Sequence, residues 1–298
     1  MTTASASAPD HAPDLDLGSR PLGVVREVWS ARDLLFQFAA RDIQIRYKQA
    51  VMGFGWALLM PILIVMAGVI VRFAMAQVAG SQLDLRDLGG ITVKAVPWAF
   101  FVGAVGTATN SLTSNITLVT KIYFPREILP LSAVGAQAFD SAIGSLAVAL
   151  ALPFLGGRLT GTLLWVPLLV VLLVCLTVGV CLFLSCANLF FRDVKYLVQV
   201  VLMFGIFVTP VFFEPAMLGA RAGTIAMLNP LAPLLEGLRL TLLTGHNLWQ
   251  PLTVAHGSAM VVAWSPWWLA YSGVWSIGGL VLASAMFHRL QYLFAEYV

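Results

Sequence analysis

Long apolar segments dominate this sequence and constrain what it can fold into. Of 298 residues, 59% are hydrophobic and 10% are charged, whereas soluble domains carry about 25% charged residues. Several segments approach the ~20 residues that a helix needs to cross a bilayer, without the alternation typical of membrane β-barrel strands. The sequence therefore predicts an all-α polytopic membrane protein. Its net charge of only +3 does not indicate a nucleic-acid partner.

We predict one transmembrane domain over residues 31–298, preceded by a disordered polar tail over residues 1–30. The domain begins with an amphipathic helix at 31–48, which we expect to lie in the membrane interface, because about 30 residues are too few for a separate soluble domain. Between the fifth and sixth spans the chain is too apolar for a solvated loop, and prolines break it, which indicates a re-entrant helical pair. Six transmembrane helices are expected at about 53–79, 96–119, 131–155, 163–191, 196–213 and 267–287.

Lysine and arginine are distributed unevenly between the two sides that six spans define. Eleven lie on the side that holds both termini and five on the opposite side, with Arg72 inside a span. Because positive residues accumulate in cytoplasmic loops, both termini are predicted to be cytoplasmic.

A short basic and aromatic stretch, the 121–130 segment, separates the second and third spans on this cytoplasmic side. It holds two prolines, and Pro125 suits the first turn of a short helix because a proline lacks the N–H that would be unpaired there. A charged, sharply turned element between two spans is a surface that a soluble partner can bind. A second charged turn, at 192–195, lies on the same side.

Polar groups inside the spans are the next candidates for function. Thr107, Asn110 and Ser114 are spaced so that they share one helix face, which fits either close helix packing or the wall of a water-containing path. Asp140 is costly in hydrocarbon and requires a partner that the sequence does not name. Arg72 is either functional or reaches the nearby membrane surface.

Aromatic residues form a further pattern near the sixth span. Their spacing predicts one aromatic helix face, which fits either an interfacial belt or a stacking surface for sugar rings. That face consists of Trp264, Trp267, Trp268, Tyr271 and Trp275. A glycan path is predicted along Trp98, Phe101, Phe207, Phe212, Trp267, Tyr271 and Trp275.

Enzyme chemistry finds little support in the sequence. No glycine-rich phosphate loop with a following lysine is present, and neither a nucleophile–base arrangement nor a carboxylate pair stands out. Cys175, Cys181 and Cys186 lie in one apolar run, at spacings that fit no metal site. Energy for any transport would therefore have to come from another protein.

Several motifs occur in a characteristic order. Residues 46–48 and 53–61 are followed by 118–130, by 188–193 and by 228–231. Together they resemble the permease subunits of type-2 ABC exporters for bacterial polysaccharides such as O-antigen, capsule and teichoic acid, over roughly residues 30–290. The most specific parts are Tyr-Phe-Pro-Arg at 123–126 and Phe-Arg-Asp at 191–193.

The resemblance implies a homodimer in the bacterial cytoplasmic membrane that works with two copies of a separate ATPase and exports a glycan on a polyprenyl pyrophosphate. It implies that this chain binds no cofactor, and that ATP and Mg²⁺ bind the partner. The coupling residues would be Lys121, Ile122, Tyr123, Phe124, Pro125, Arg126, Glu127, Arg192 and Asp193. The lipid pyrophosphate would be received by Arg41, Arg46, Tyr47 and Lys48. A drug or lipid exporter and, less well supported, a membrane-embedded glycan-processing enzyme are the alternatives.

Overall fold

The computed structural model describes residues 29–48, 53, 55–79, 85–121, 124–157, 160–256 and 259–295. Apart from Trp29 and Ser30, the predicted N-terminal tail lies outside these residues. The helices are α1 (Arg32–Tyr47), α2 (Gly55–Ala79), α3 (Leu85–Thr109), α4 (Ser111–Ser114), α5 (Ile116–Lys121), α6 (Ile128–Ala151), α7 (Trp165–Phe190), α8 (Val194–Val208), α9 (Gly219–Met227), α10 (Leu231–Arg239) and α11 (Pro266–Leu290). Short 3₁₀ turns lie at Gly161–Leu164, Pro215–Leu218 and Gln291–Ala295, and a π-helical turn at Leu240–Thr244.

The helices confirm the predicted all-α polytopic class. Within the described residues, five helical segments are long and apolar enough to cross a membrane: Gly55–Val78, Arg86–Thr109, Ile128–Ala151, Gly161–Phe190 and Pro266–Phe294. The expected fifth span is the shorter α8, which ends where Thr209 turns to extended backbone ahead of Pro210. With 15 residues, α8 is about 22 Å long, so the sixth crossing remains a prediction.

The second span lies earlier in the chain than expected. Helix α3 begins at Leu85 instead of about residue 96, because Asp87 and Lys94 within it have partners in the protein. It ends at Thr109 rather than near 119, where polar side chains compete for the helical carbonyls. Thr109 Oγ1 donates to Val105 O at 2.7 Å and Asn115 Nδ2 to Ser111 O at 2.8 Å, and the chain continues as the short helices α4 and α5.

Helix α3 is the centre of the fold. Two-thirds of its span is buried (67%), against 6% for α2, and it packs against α6, α7 and α10. Helix α7 in turn packs along α11. Their backbones approach closely at Gly179, where an added Cβ would lie 3.0 Å from the Leu280 nitrogen.

The predicted helical pair between the last two spans is present as α9 and α10. Each helix has nine residues and is therefore about 14 Å long, too short to cross a bilayer. All nine residues of α10 are buried. Two residues before this helix, the Asn229 side chain accepts a hydrogen bond from the Leu231 N–H at 3.1 Å.

A β-hairpin follows, which the sequence analysis did not anticipate. Strands β1 (Leu252–His256) and β2 (Ala259–Trp264) pair antiparallel, with Val254 opposite Val261 and a register irregularity after Leu252. Trp264 therefore belongs to a strand, and the prediction that it starts the aromatic helix face was wrong. Ser265 is extended and Pro266 opens α11, as expected for a proline at the first helical position.

Candidate functional site

A cavity of about 530 Å³ lies between α1, α2, α3 and α6. Its walls are mostly apolar and aromatic, and its polar groups come from α1 and α6, with Thr107 from α3. The apolar part includes Trp56, Ala57, Met60, Pro61, Ile64, Val96, Trp98, Ala99 and Val102. The polar part, which we call the Asp140 cluster, consists of Arg46, Tyr47, Gln137 and Asp140.

The Asp140 cluster supplies the partner that the sequence did not name. Arg46 Nη1 donates to Asp140 Oδ2, and the Tyr47 hydroxyl donates to Asp140 Oδ1. Arg46 Nη1 also donates to Gln137 Oε1 at 3.2 Å. Burial, strengthened by the hydrogen bond to Asp140, raises the pKa of Tyr47 to about 12, so this hydroxyl stays protonated and remains a donor.

A second cavity, of about 460 Å³, adjoins the first. Arg46 and Thr107 line both cavities, and we refer to the two together as the crevice. In the second cavity Arg41 Nη2 donates to Asp42 Oδ1 at 2.9 Å and to Asn115 Oδ1 at 3.4 Å. The crevice therefore has a polar end with two guanidinium groups and an apolar end with two tryptophans.

The polar stripe of α3 and α4 faces open space in the protomer. Thr107, Asn110 and Ser114 are all exposed. Thr107 and Ser114 line the crevice, and Asn110 lines a third cavity, of about 560 Å³, between α3 and α8. Of the two interpretations of the stripe, the cavity wall is favoured.

The four residues expected to receive a lipid pyrophosphate are all on α1 or at its end. Arg46 and Tyr47 line the first cavity and Arg41 the second, while Lys48 is exposed at the end of α1. Both arginines are paired with carboxylates of the chain. The sequence did not reveal this pairing, because Asp140 is 94 residues from Arg46.

The residues of the expected aromatic path come from α3, from the end of α8 and the chain after it, and from α11. Trp98 and Phe101 lie on α3 with ring centroids 6.2 Å apart, and Trp98 lines the crevice. Phe207 and Phe212 form an edge-on pair, also 6.2 Å apart. Trp267, Tyr271 and Trp275 lie on α11, where the Tyr271 hydroxyl donates to Leu228 O at 2.6 Å.

The described part of the 121–130 segment has a turn where a short helix beginning near Pro125 was predicted. A short helix, α5, precedes the described turn, and the chain turns at 125–127 before α6 begins at Ile128. Pro125 accepts from the Ile128 N–H at 3.2 Å and so lies before the helix, not in its first turn. Ile122 and Tyr123 are outside the described residues; Lys121 ends α5.

The side chains of the described turn point toward the protein. Phe124 stacks on Phe38 of α1, with centroids 6.2 Å apart. Arg126 donates to Gln291 O and lies over the Phe294 ring at 5.7 Å. The Glu127 side chain is 5% exposed, with Oε1 3.8 Å from His288 Nδ1. Arg126 and Glu127 therefore contact the Gln291–Ala295 turn and the end of α11, and their role in coupling to a partner stays a prediction.

The second charged turn is accessible. Arg192 and Asp193 are exposed between α7 and α8. The buried Asn188 positions this turn, because its Nδ2 donates to Thr109 O at 3.0 Å and its Oδ1 accepts from the Lys195 N–H at 3.1 Å. Among the predicted coupling residues whose side chains the structure describes, Arg192 and Asp193 are the exposed ones.

At the opposite end of α3 from the crevice lies a group of charges that we call the six-charge cluster. Arg239 donates to Glu236 Oε1 at 2.6 Å and lies 2.9 Å from Glu214 Oε1. Lys94 Nζ is 3.7 Å from Glu236 Oε2 and donates to Phe213 O at 2.7 Å. The cluster comprises Arg72, Asp87, Lys94, Glu214, Glu236 and Arg239.

Arg72 belongs to this cluster, where its guanidinium contacts Asp87 and Met217. Its Nη2 lies 2.7 Å from Asp87 Oδ1, and both line a void of about 10 Å³ beside Lys94 and Arg239. Three positive and three negative charges balance one another. Because isolated charges are costly in a low-dielectric interior, this balance explains how Arg72 and Lys94 are tolerated in apolar helices.

Taken together, the long apolar helices, the buried helix α10 and the crevice beside α1 fit a polytopic membrane transport subunit. The chain belongs to the ABC-2 type transporter family, whose sequence model matches residues 33–243. It is thus a multi-pass membrane component of an ABC transporter, a class that implies an ATPase partner.

Curated relatives extend the similarity over nearly the whole chain. Two O-antigen export system permease proteins RfbA from Klebsiella pneumoniae are each 26% identical to it; the alignments cover 89% of this chain and 94% of each relative. An O-antigen export system permease protein RfbA from Myxococcus xanthus is 25% identical over 81% of this chain and 93% of its own length.

Proposed function

We propose that this chain is the membrane subunit of an ABC exporter that moves a polysaccharide, linked to a polyprenyl pyrophosphate, across the bacterial inner membrane. The proposal rests on the crevice. The relatives of the chain, which are O-antigen export permeases, support it. The two guanidinium groups at its polar end suit a diphosphate, and its apolar end suits a lipid chain or the apolar face of a sugar. Arg41, Arg46, Tyr47 and Lys48 would meet the lipid head.

The active transporter would contain two copies of this chain and two ATPase subunits. Helix α2 is 6% buried in the protomer, and α8 exposes Leu197, Val201 and Met203, so both have apolar surface for a second copy or for lipid. ATP and Mg²⁺ would bind the ATPase. Its docking surface would include the exposed Arg192–Asp193 turn and the neighbourhood of α5.

The proposed orientation puts both termini and the 192–195 turn in the cytoplasm. The charge asymmetry behind it is larger than the sequence suggested, because two of the five cations assigned to the other side, Lys94 and Arg239, are buried in the six-charge cluster. The glycan would leave past Trp267, Tyr271 and Trp275 on α11.

The test is transport by the chain reconstituted with its ATPase in proteoliposomes. We expect ATP-dependent movement of a polyprenyl-diphosphate-linked oligosaccharide to the opposite leaflet, measured by lectin accessibility. Trp56→Ala, in the crevice and 46% exposed, should slow transport several-fold. Trp249→Ala, 67% exposed and remote from the crevice lining, is the matched control.

Two results would contradict the proposal. One is ATPase stimulation by drugs or bulk phospholipids without any movement of the glycan lipid. The other is equal transport by the Trp56 and Trp249 variants and the unsubstituted chain, which would remove the crevice from the substrate path.

A further inference from the structure

We infer that Asp140 determines which lipid heads enter the crevice, because it competes with the incoming head for Arg46 and Tyr47. This inference rests on the proposed function and assigns a selectivity residue that the proposed function leaves open. The ligand chemistry is a diphosphate ester on a lipid; singly charged and zwitterionic heads are rejected.

The donors of the site are already occupied. One oxygen of Asp140 accepts from the Arg46 guanidinium and the other from the Tyr47 hydroxyl, and the side chain is only 8% exposed. A phosphate offers the same arrangement of neighbouring anionic oxygens to the same donors. Asp140 thus stands where an anionic head would have to bind in order to use these two residues.

The helix that carries the donors is held more weakly than the helix that carries the carboxylate. No described residue of α1 is fully buried, whereas nine residues of α6 are. The contacts of α1 with the body of the protein include the Asp140 cluster, the 3.4 Å hydrogen bond from Arg41 to Asn115 and the stacking of Phe38 on Phe124. Elements with few buried apolar contacts open at low cost, so exchange of Arg46 from Asp140 to a ligand displaces α1 rather than α6.

The exchange of Arg46 from Asp140 to a ligand requires a minimum negative charge on the ligand's head. Once Arg46 leaves, Asp140 is a nearly buried carboxylate without its cation, a state that costs several kcal/mol. A ligand must recover this cost through its own contacts with Arg46, Tyr47 and the neighbouring Arg41. A zwitterionic or singly charged phospholipid head offers no more charge than the carboxylate it displaces, whereas a diphosphate offers more than one negative charge and more acceptor oxygens. Without this competitor, the apolar cavity behind α1 would admit any abundant membrane lipid.

The first experiment measures binding to the complete transporter in nanodiscs. The probes are labelled polyprenyl diphosphate and labelled phosphatidylglycerol, a phosphodiester with a single negative charge. The unsubstituted chain should prefer the diphosphate. Asp140→Asn should bind phosphatidylglycerol about tenfold more tightly, equivalent to ~1.4 kcal/mol, and lose most of the preference. Asp33→Asn is the matched control, since Asp33 is an exposed carboxylate of α1 paired with Arg32.

The second experiment follows α1 directly and leaves Asp140 in place. A Cβ added at Gly135 of α6 would lie 3.5 Å from the Cβ of Ala39, which suits a disulfide. In an Ala39→Cys, Gly135→Cys double variant, polyprenyl diphosphate should slow disulfide formation several-fold, and the singly charged phosphatidylglycerol should not. Ala39→Cys alone is the control for cross-links to Cys175, Cys181 or Cys186.

The outcomes separate this inference from the proposed function. If the unsubstituted chain binds no polyprenyl lipid, the proposed function fails. If it binds the diphosphate and Asp140→Asn keeps the same preference, only the inference fails. Should Asp140→Asn not give a monodisperse complex, the cross-linking rate decides, and a rate insensitive to the diphosphate overturns the inference. If inorganic pyrophosphate alone slows disulfide formation, the site binds a soluble diphosphate, and the inference that its ligand is a lipid is overturned.

Discussion

Lys94 shows how individual charges are accommodated in this molecule. It lies in α3, 1% exposed, with its ammonium next to Glu236 and the Phe213 carbonyl. Glu236 is equally buried (1%) and also accepts from Arg239. Each charge of the cluster is therefore tolerated only because its partners are in place, and removal of one leaves the others unbalanced.

At the residue scale, Glu236→Gln should destabilise the protein by about 3 kcal/mol, because it leaves two buried cations undercompensated. The measurement is thermal unfolding of the purified chain in detergent. Glu214→Gln is the control: Glu214 also contacts Arg239 but is 27% exposed, so solvent screens the loss. Equal shifts for the two variants would show that burial does not set the energetics of the cluster.

At the scale of elements, the two charged turns differ in their contacts. Residues 192–193 are exposed, whereas Arg126 binds the Gln291–Ala295 turn and Glu127 lies beside His288 near the end of α11. An exposed turn is free to contact a partner protein. Mutation of a turn that is bonded to another part of the chain first disturbs that part. The two turns should therefore fail differently when they are mutated.

We expect Arg192→Ala to lower substrate-stimulated ATPase activity several-fold while leaving thermal stability unchanged. Arg126→Ala should instead loosen the Gln291–Ala295 turn and make it more sensitive to proteases, with a loss of export that follows from that change. ATPase assays and limited proteolysis of both variants distinguish the two. Protease resistance in Arg126→Ala would contradict the structural role assigned to it.

The packing of α7 against α11 offers a second test at this scale. Gly179→Val should cost about 1–3 kcal/mol, because the added atoms meet the Leu280 backbone. Gly278→Val on α11 is the control, since an added Cβ there has no heavy atom within 4 Å. Unfolding midpoints in detergent compare the two variants. If Gly278→Val is as destabilising, the cost lies in backbone flexibility rather than helix contact.

Elements that depend on local pattern were predictable, and those that depend on distant contacts were not. The lengths of the apolar segments predicted the all-α membrane class and most of the spans. Pro230 and Pro233 predicted that the helical structure between the last two spans is interrupted. The early start of α3 was missed because Lys94 looks like a loop residue until Glu236 and Phe213 are placed beside it. The partners of Asp140 lie 93 and 94 residues away, a separation that no periodicity reveals.

At the scale of the whole molecule, the crevice and the six-charge cluster lie toward opposite ends of the central helix α3. One end is open and lined by groups that a ligand can use, while the other is filled by balanced charges. In the proposed function, substrate would enter from the side of α1, and passage through the other end would require α10 and its surroundings to rearrange. Which of these two ends faces the cytoplasm depends on the orientation proposed above.

Orientation can be measured with single added cysteines. Gln250→Cys should react with a membrane-impermeant maleimide in intact cells, because residue 250 is exposed and lies on the proposed outer side. Lys48→Cys should react only after permeabilisation. The unsubstituted chain corrects for its native cysteines. Labelling of Lys48→Cys in intact cells would reverse the proposed topology.

The six-charge cluster also has a consequence for how the chain is made. Arg72 and Asp87 are 15 residues apart, so α2 and α3 can enter the bilayer as a hairpin in which this pair is already neutral. Lys94 has no such neighbour, and Glu236 is synthesised only after α8 and α9. The nascent protein must therefore keep an uncompensated ammonium near the insertion machinery or water until α10 emerges. Completion of the cluster is thus a late step of biogenesis, and the chain reaches its neutral interior only when nearly all of it has been translated.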